Sequence, residues 1–451
     1  MDEPSRSQTD REFRNRRFTL GVVTSILSKA AAFGTQILAI PIAVRYCGLD
    51  TYALYLSLVA ASLAPSILLL RLGPSFIARV AGHHQLRDRK ALSAEFRNSI
   101  GLTLLNCIAA GLLSAAALYW LPITQFFSGL TQPGINVLPA LVLLSALNIV
   151  GCLFATIESF QAGLHETHML YARSTISNVI SLFLLLVIVP ISPTLLTLVV
   201  ILQVVPFLTR LANALLFMWR QRSILSHPSS GYPTNILSDA LRFTFTVGFC
   251  AYVGFQAPLL ILTTQTDVAR AGFYAVAMQL VLQLQGLITV AMAPTIPALA
   301  NAISAGEMYM VTRVKRWTMW AINALGLLAV PTAVFISSWS TPATELSYEA
   351  RLVISVSAAL FFWSIAFENF LFTFLLATRG GRSSELIYRS QTVRSLLVAF
   401  AAIVLTSLRL DLWALIAMAL AGLIAAIVPL WRLSCDETAG NQLQCLVNSN
   451  S

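Results

Sequence analysis

Apolar residues run along this chain in long blocks. They show neither the strict alternation of a half-buried strand nor the narrow stripe of a surface helix. The blocks fall at about 19–44, 52–72, 98–121, 136–157, 170–190, 194–218, 243–265, 271–299, 317–338, 352–377, 390–408 and 411–432. Each is close to the roughly 20 residues that a helix needs to cross a bilayer. The pattern predicts an all-α polytopic membrane protein of about 12 transmembrane helices. The first block is too long for a signal-peptide core and has no cleavage-like end, so it is expected to remain as the first span.

The strongest break is Ser226-His-Pro-Ser-Ser-Gly-Tyr-Pro233, between the sixth and seventh blocks. The expected organisation is a cytoplasmic tail over 1–18, a six-helix bundle over 19–225, a cytoplasmic linker over 226–242, a second six-helix bundle over 243–432 and a cytoplasmic tail over 433–451. The halves share short similarities. Arg17-Phe-Thr opens the first and Arg242-Phe-Thr the second, while Gly73-Pro-Ser-Phe-Ile-Ala is echoed by Ala293-Pro-Thr-Ile-Pro-Ala, at offsets of 225 and 220 residues. Six is even, so both halves enter from the same side. Such repeats are parallel, related by an axis along the membrane normal. Two bundles around a central cavity are what alternating access requires.

Composition narrows the class. Of 451 residues 57% are hydrophobic and 11% charged, against about 25% charged in a soluble domain. A soluble enzyme, a secreted disulfide scaffold and a disordered chain are excluded. The net charge of +10 takes its meaning from its distribution. Of 29 Lys and Arg, 22 lie in the termini and alternate loops, 4 in the opposite loops, and 3 (Lys29, Arg71, Arg210) within spans. By the positive-inside rule both termini are expected to be cytoplasmic. The basic residues set topology and meet membrane lipids, so nucleic acid is not an expected partner.

The six cysteines are dispersed and form no CxxC pair, which reads as small apolar fillers. His165-Glu-Thr-His168 lacks the spacing of the HExxH metal motif, and there is no Walker A loop, GxSxG elbow or GxGxxG fingerprint. Neither an enzyme nor a bound metal or cofactor is expected.

The candidate chemistry lies in the few polar groups inside the spans. A charge at the bilayer centre costs at least about 2.5–3.5 kcal/mol and normally faces a cavity or a partner. Lys29 stands about ten residues into the first span, roughly 15 Å deep and near its midplane, on a polar face with Ser25 and Gln36. Gln203, Arg210 and Asn213 share a face of the sixth span, where Pro206 can bend the helix. These residues, with Arg71 near the inner interface, are candidates for a cationic cavity that receives an anionic head group. The alternatives are snorkelling for Arg210 or an ion pair with Glu158 or Glu368. Glu368, beside Asn369 in the tenth span, and Glu158, at the inner end of the fourth, are candidates for ion coupling or for counter-ions. Gln256, Gln279 and Gln283 in the seventh and eighth spans, with Gln36 and Gln203, are candidate glycan contacts; for the first three, helix–helix hydrogen bonds are the alternative.

Pro41-Ile-Ala-Val-Arg45-Tyr-Cys-Gly48-Leu-Asp-Thr-Tyr52 resembles the junction of helices one and two in bacterial lipid-linked oligosaccharide flippases. These are the O-antigen and exopolysaccharide translocases of the multidrug/oligosaccharidyl-lipid/polysaccharide exporter superfamily. Leu72-Gly73-Pro-Ser-Phe-Ile-Ala-Arg79 and Gln161-Ala-Gly163-Leu resemble that family's next segments. Arg71 and Ala53 depart from it, standing where an acid and a glycine are usual. The resemblance implies flipping of an undecaprenyl-diphosphate-linked oligosaccharide to the outer leaflet, with a polysaccharide polymerase and chain-length machinery as partners. Lys29 and Arg210 would hold the diphosphate. A drug or organic-cation antiporter of the same superfamily is the nearest alternative, though its cavity would favour acids over bases. A membrane O-antigen polymerase or ligase is more distant, because the longest outer loop, 122–135, carries no charge.

Overall fold

A computed structural model describes residues 3–70, 74–122, 136–164, 166–222, 244–250, 252–266, 268–292, 348–379 and 381–408, with scattered positions between and beyond them. The described residues form helices and no strand, and the chain is an all-α polytopic membrane protein. Five described helices are long and apolar enough to cross a bilayer: Val23–Cys47, Arg89–Trp120, Val137–Gly163, Thr167–Ile188 and Leu195–Arg220. Most of the expected ninth and twelfth spans, the 226–236 stretch of the linker and the C-terminal tail lie outside the described residues.

The chain divides into two compact units. Unit 1 comprises Met1–Tyr252 with Asp267–Val276 and Trp339–Pro342; unit 2 comprises Val253–Thr266, Ala277–Ser338 and Ala343–Ser451. In unit 1, α1 (Glu3–Cys47) is one continuous helix of 45 residues. The polar stretch expected as a separate tail therefore extends the first span, built from Glu, Gln and Arg, which are good helix formers. Gly48, at φ 87, turns the chain into α2 (Leu49–Ser62). Its amide donates to Val44 O at 3.1 Å, and its carbonyl accepts from Tyr52 N at 3.2 Å. Leu49 packs against Gly272, where a Cβ would lie 2.3 Å from the leucine Cγ.

The second span is not the unbroken helix expected over 52–72. The α-helix stops at Ser62, and a short 3₁₀ turn follows at Ala64–Ile67. Pro65 has no amide to donate and breaks the ladder. Neighbouring helices α4 (Arg89–Trp120) and α5 (Val137–Gly163) then satisfy the exposed backbone. Asn106 accepts from Leu70 N at 2.7 Å and donates to Leu68 O at 2.9 Å. Asn148 donates to Ser62 Oγ at 2.9 Å, and Cys152 Sγ donates to Leu70 O at 3.5 Å. Past the break, α3 (Pro74–Gln85) occupies what was expected to be loop.

The inner end of unit 1, the end that the Lys and Arg distribution assigns to the cytoplasm, holds an aromatic core. Phe76, Phe96, Phe154, Phe160 and Phe217 pack there with Val80, Leu92 and Ile157. The Phe96 and Phe160 rings meet edge to face at 5.0 Å. Gly163 lies against α3, and a Cβ there would sit 2.5 Å from Val80 Cγ1 and 3.1 Å from Ile77 O. Two further helices complete the unit: α6 (Thr167–Ile188), whose main partner is α1, and α7 (Leu195–Arg220). A π turn at Val200–Val204 interrupts α7, and Ser181 Oγ donates to Ile201 O within it at 3.0 Å.

In unit 2, α8 (Ala257–Gln265) follows π turns at Thr244–Phe249 and Tyr252–Gln256, the first of which lies in unit 1. Then come α9 (Val268–Met292), whose residues through Val276 belong to unit 1, α10 (Tyr348–Arg379) and α11 (Gly381–Ser407); α8 and α10 both pack on α11. The helix α11 begins nine residues before the expected eleventh span. Arg394, which sequence counting groups with the basic residues that set topology, lies in the interior, 6% exposed. There its guanidinium lies over the Phe255 ring at 5.2 Å. A cation stacked on an aromatic face keeps part of its stabilisation without water.

Two stability outcomes follow from this packing. Asn106→Leu leaves a backbone N–H and a C=O at the break without partners, which costs about 1–3 kcal/mol and lowers the melting temperature in detergent. Gly163→Val forces α3 off α5 and lowers it as well, by overpacking worth about 1–3 kcal/mol.

Candidate functional site

Charge gathers at the inner end of unit 1, where α5, α6 and α7 converge. Glu158 sits five residues before the end of α5. Arg210 reaches it from α7 in a bidentate pair, Nε to Oε1 at 3.0 Å and Nη2 to Oε2 at 2.8 Å. Arg173 of α6 donates Nη1 to the same Oε1. The planar fork of arginine matches both carboxylate oxygens, which is the strong form of this contact. Side-chain exposures are 18% for Glu158, 18% for Arg173 and 33% for Arg210. A second rung lies one turn away, where Asn213 Nδ2 donates to Gln161 Oε1 at 3.0 Å. Arg210 Nη1 passes beside Gly151, where a Cβ would stand in ordinary contact at 3.7 Å.

The structure thus pairs Arg210 with Glu158, one of the alternatives that the sequence left open. Arg173 had been counted among the loop residues that set topology. It lies within α6, six residues after the helix begins at Thr167. No sequence signal marked it, since one arginine near a helix start looks like any interfacial anchor.

Lys29 is half-buried on α1 and forms no ion pair with a described acid. Along α1 it lies six residues, about 9 Å, before Thr35. Thr35 Oγ1 donates to Asn178 O at 3.1 Å. Spans one and five run in the same direction, so six residues earlier on both helices Lys29 is level with Ala172, next to Arg173. Three cations and one acid therefore stand near one level of unit 1.

The remaining candidates separate from this cluster. Gln203 belongs to the π turn and donates Nε2 to Tyr55 Oη at 2.8 Å; Tyr55 in turn stacks on Tyr52 with centroids 6.1 Å apart. Gln36 is half-buried on α1, and Gln256, Gln279 and Gln283 are half-buried in unit 2. Gln279 and Gln283 share one face of α9. Glu368 falls on α10, with its side chain outside the described residues, and Arg71 also lies outside them. Among the described residues no cluster of three or more His, Cys, Asp or Glu could hold a metal ion.

Removing the shared acid should show what the cluster contributes. Glu158→Ala leaves two guanidiniums facing each other without a counter-ion. The expected loss is about 3 kcal/mol, read as a lower melting temperature. The double variant Glu158→Gln with Arg210→Gln should recover part of it.

No protein-family model matches this chain, and no curated protein matches it in sequence. Solved structures do match its fold. An inward-facing multidrug resistance MATE family transporter of the MOP superfamily aligns at TM-score 0.56 and 14% identity, over 92% of this chain and 96% of that one. An outward-facing structure of the same description aligns at 0.57 and 12%, over 94% and 96%. A MOP superfamily transporter from Pyrococcus furiosus, described as having a binding pocket of reverse polarity that suggests a different function, aligns at 0.50 and 10%, over 92% and 94%. At these identities the likeness is one of fold: the chain has the fold of the MATE transporters of the MOP superfamily.

Proposed function

We propose that this chain is a secondary transporter that exports an amphipathic organic solute by alternating access, as a drug or organic-cation antiporter. The observation that carries the reading is the fold match over more than nine-tenths of the chain to both inward- and outward-facing structures of a multidrug transporter. Glu158 offsets one of the in-span cations that would disfavour a cationic solute. Arg210 gives its Nε and Nη2 hydrogens to Glu158, so it no longer counts as a lone cation repelling a cationic solute. Glu368 is the acid proposed to exchange an ion during the cycle. The chain sits in the bacterial cytoplasmic membrane with both termini inside, as the Lys and Arg distribution indicates.

A second reading rests on different observations. Lys29 has no acidic partner among the described residues, and residues 41–52 and 72–79 resemble the lipid-linked oligosaccharide flippases. There the solute is a polyprenyl-diphosphate-linked repeat unit, with a polymerase and chain-length machinery downstream.

The two readings part in a deletion strain and in proteoliposomes. Antiport predicts that a deletion strain becomes sensitive to lipophilic cations, and that the reconstituted chain moves ethidium when a proton or sodium gradient is imposed. Glu368→Gln should reduce that movement at least tenfold. Unchanged drug sensitivity, with single lipid-linked repeat units trapped on the inner leaflet, would overturn antiport in favour of flipping. In that case Lys29→Ala should cut surface polysaccharide at matched protein levels.

A further inference from the structure

We infer that Arg173 and Arg210, held against Glu158 at the inner end of unit 1, bind the headgroup phosphate of an anionic phospholipid. The site does not depend on which solute is carried, because it recognises a component of the membrane itself.

The argument begins with donors. Each guanidinium carries five N–H groups and no acceptor. Of the ten in this pair, Glu158 takes three: Arg210 Nε and Nη2 and one from Arg173 Nη1. Arg173 Nε is buried and, among the described residues, meets no acceptor. Ser177 lies one helical turn further along the same face of α6, and its buried Oγ is also without a partner. One carboxylate between two guanidiniums leaves a charge of +1, and Lys29 adds another near the same level. Unmatched charge and unmatched donors are costly in a low-dielectric setting. A phosphate oxygen supplies both the negative charge and the lone pairs.

Position and access agree with that ligand. Glu158 lies about 7.5 Å from the inner end of α5, and Arg173 about 9 Å from the start of α6. Both positions belong to the side of unit 1 that the basic residues assign to the inner leaflet. The Arg210 side chain keeps 33% of its surface open, so an anion can reach it without unpacking the helices. Basic pockets between transmembrane helices on the cytoplasmic side are a general way to hold acidic head groups. Arginine suits this role better than lysine, because its fork meets two phosphate oxygens at once.

The full chain, purified in detergent and stripped of lipid, provides the test. Phosphatidylglycerol, phosphatidylcholine and inorganic phosphate are added separately. Bound lipid is counted by native mass spectrometry, and the melting temperature is followed in parallel. Phosphatidylglycerol is expected to bind and raise the melting temperature, with phosphatidylcholine and inorganic phosphate well behind. Arg173→Gln should weaken phosphatidylglycerol binding about tenfold, and Arg173→Lys, which keeps the charge and loses the fork, by less. Equal binding of phosphatidylcholine would overturn recognition of net anionic charge. An equal shift with inorganic phosphate would overturn the assignment to a lipid. Should Arg173→Gln fail to fold, Arg173→Lys and Ser177→Ala carry the test: wild-type affinity in both means that the cluster only clamps helices together.

Discussion

Inside a bilayer a backbone N–H or C=O has no water to turn to, so every one of them must find a partner within the protein. That constraint accounts for the helices, and it accounts even better for the places where they stop. At Ser62–Leu70 the second span unwinds, and Asn106, Asn148 and Cys152 supply the hydrogen bonds that the α-ladder no longer makes. In α7 the π turn at Val200–Val204 frees a carbonyl that Ser181 then takes up. Polar residues inside apolar helices are thus largely spoken for by irregular backbone. Only what remains after that accounting is available for a solute.

Charge obeys the same logic with higher stakes. Glu158 is shared by two arginines from two other helices, which ties α5, α6 and α7 together at one end of unit 1. The aromatic core next to it, centred on Phe160, excludes water from one side and strengthens the ion pairs. In unit 2 the buried Arg394 stacks on Phe255. Both arrangements hold a cation by geometry that a list of charged positions does not reveal.

The fold was largely legible in the sequence, because apolar blocks of membrane length leave few alternatives. The site was legible only in part. Glu158 and Arg210 stood out as charges inside spans, and their pairing was one of the options their spacing allowed. Arg173 and Arg394 did not stand out, because both fall within a few residues of an expected span boundary. Boundaries are where hydropathy reads least well, since a helix continues past its apolar stretch wherever its neighbours cover it. The break after Ser62 was hidden for a related reason: Leu63-Ala-Pro-Ser-Ile-Leu-Leu-Leu70 is apolar throughout, and hydropathy does not register a missing amide.

By itself the sequence determined that the chain is a helical membrane protein and the approximate places of its spans. These follow from transfer free energies, which sum residue by residue along a chain. Tertiary structure decided that Arg210 answers to Glu158, that Arg173 joins them, and that the second span breaks where it does. Those outcomes depend on which side chain from another helix arrives within about 3 Å, as a hydrogen bond requires. Helix periodicity in one segment carries no record of its neighbours in space.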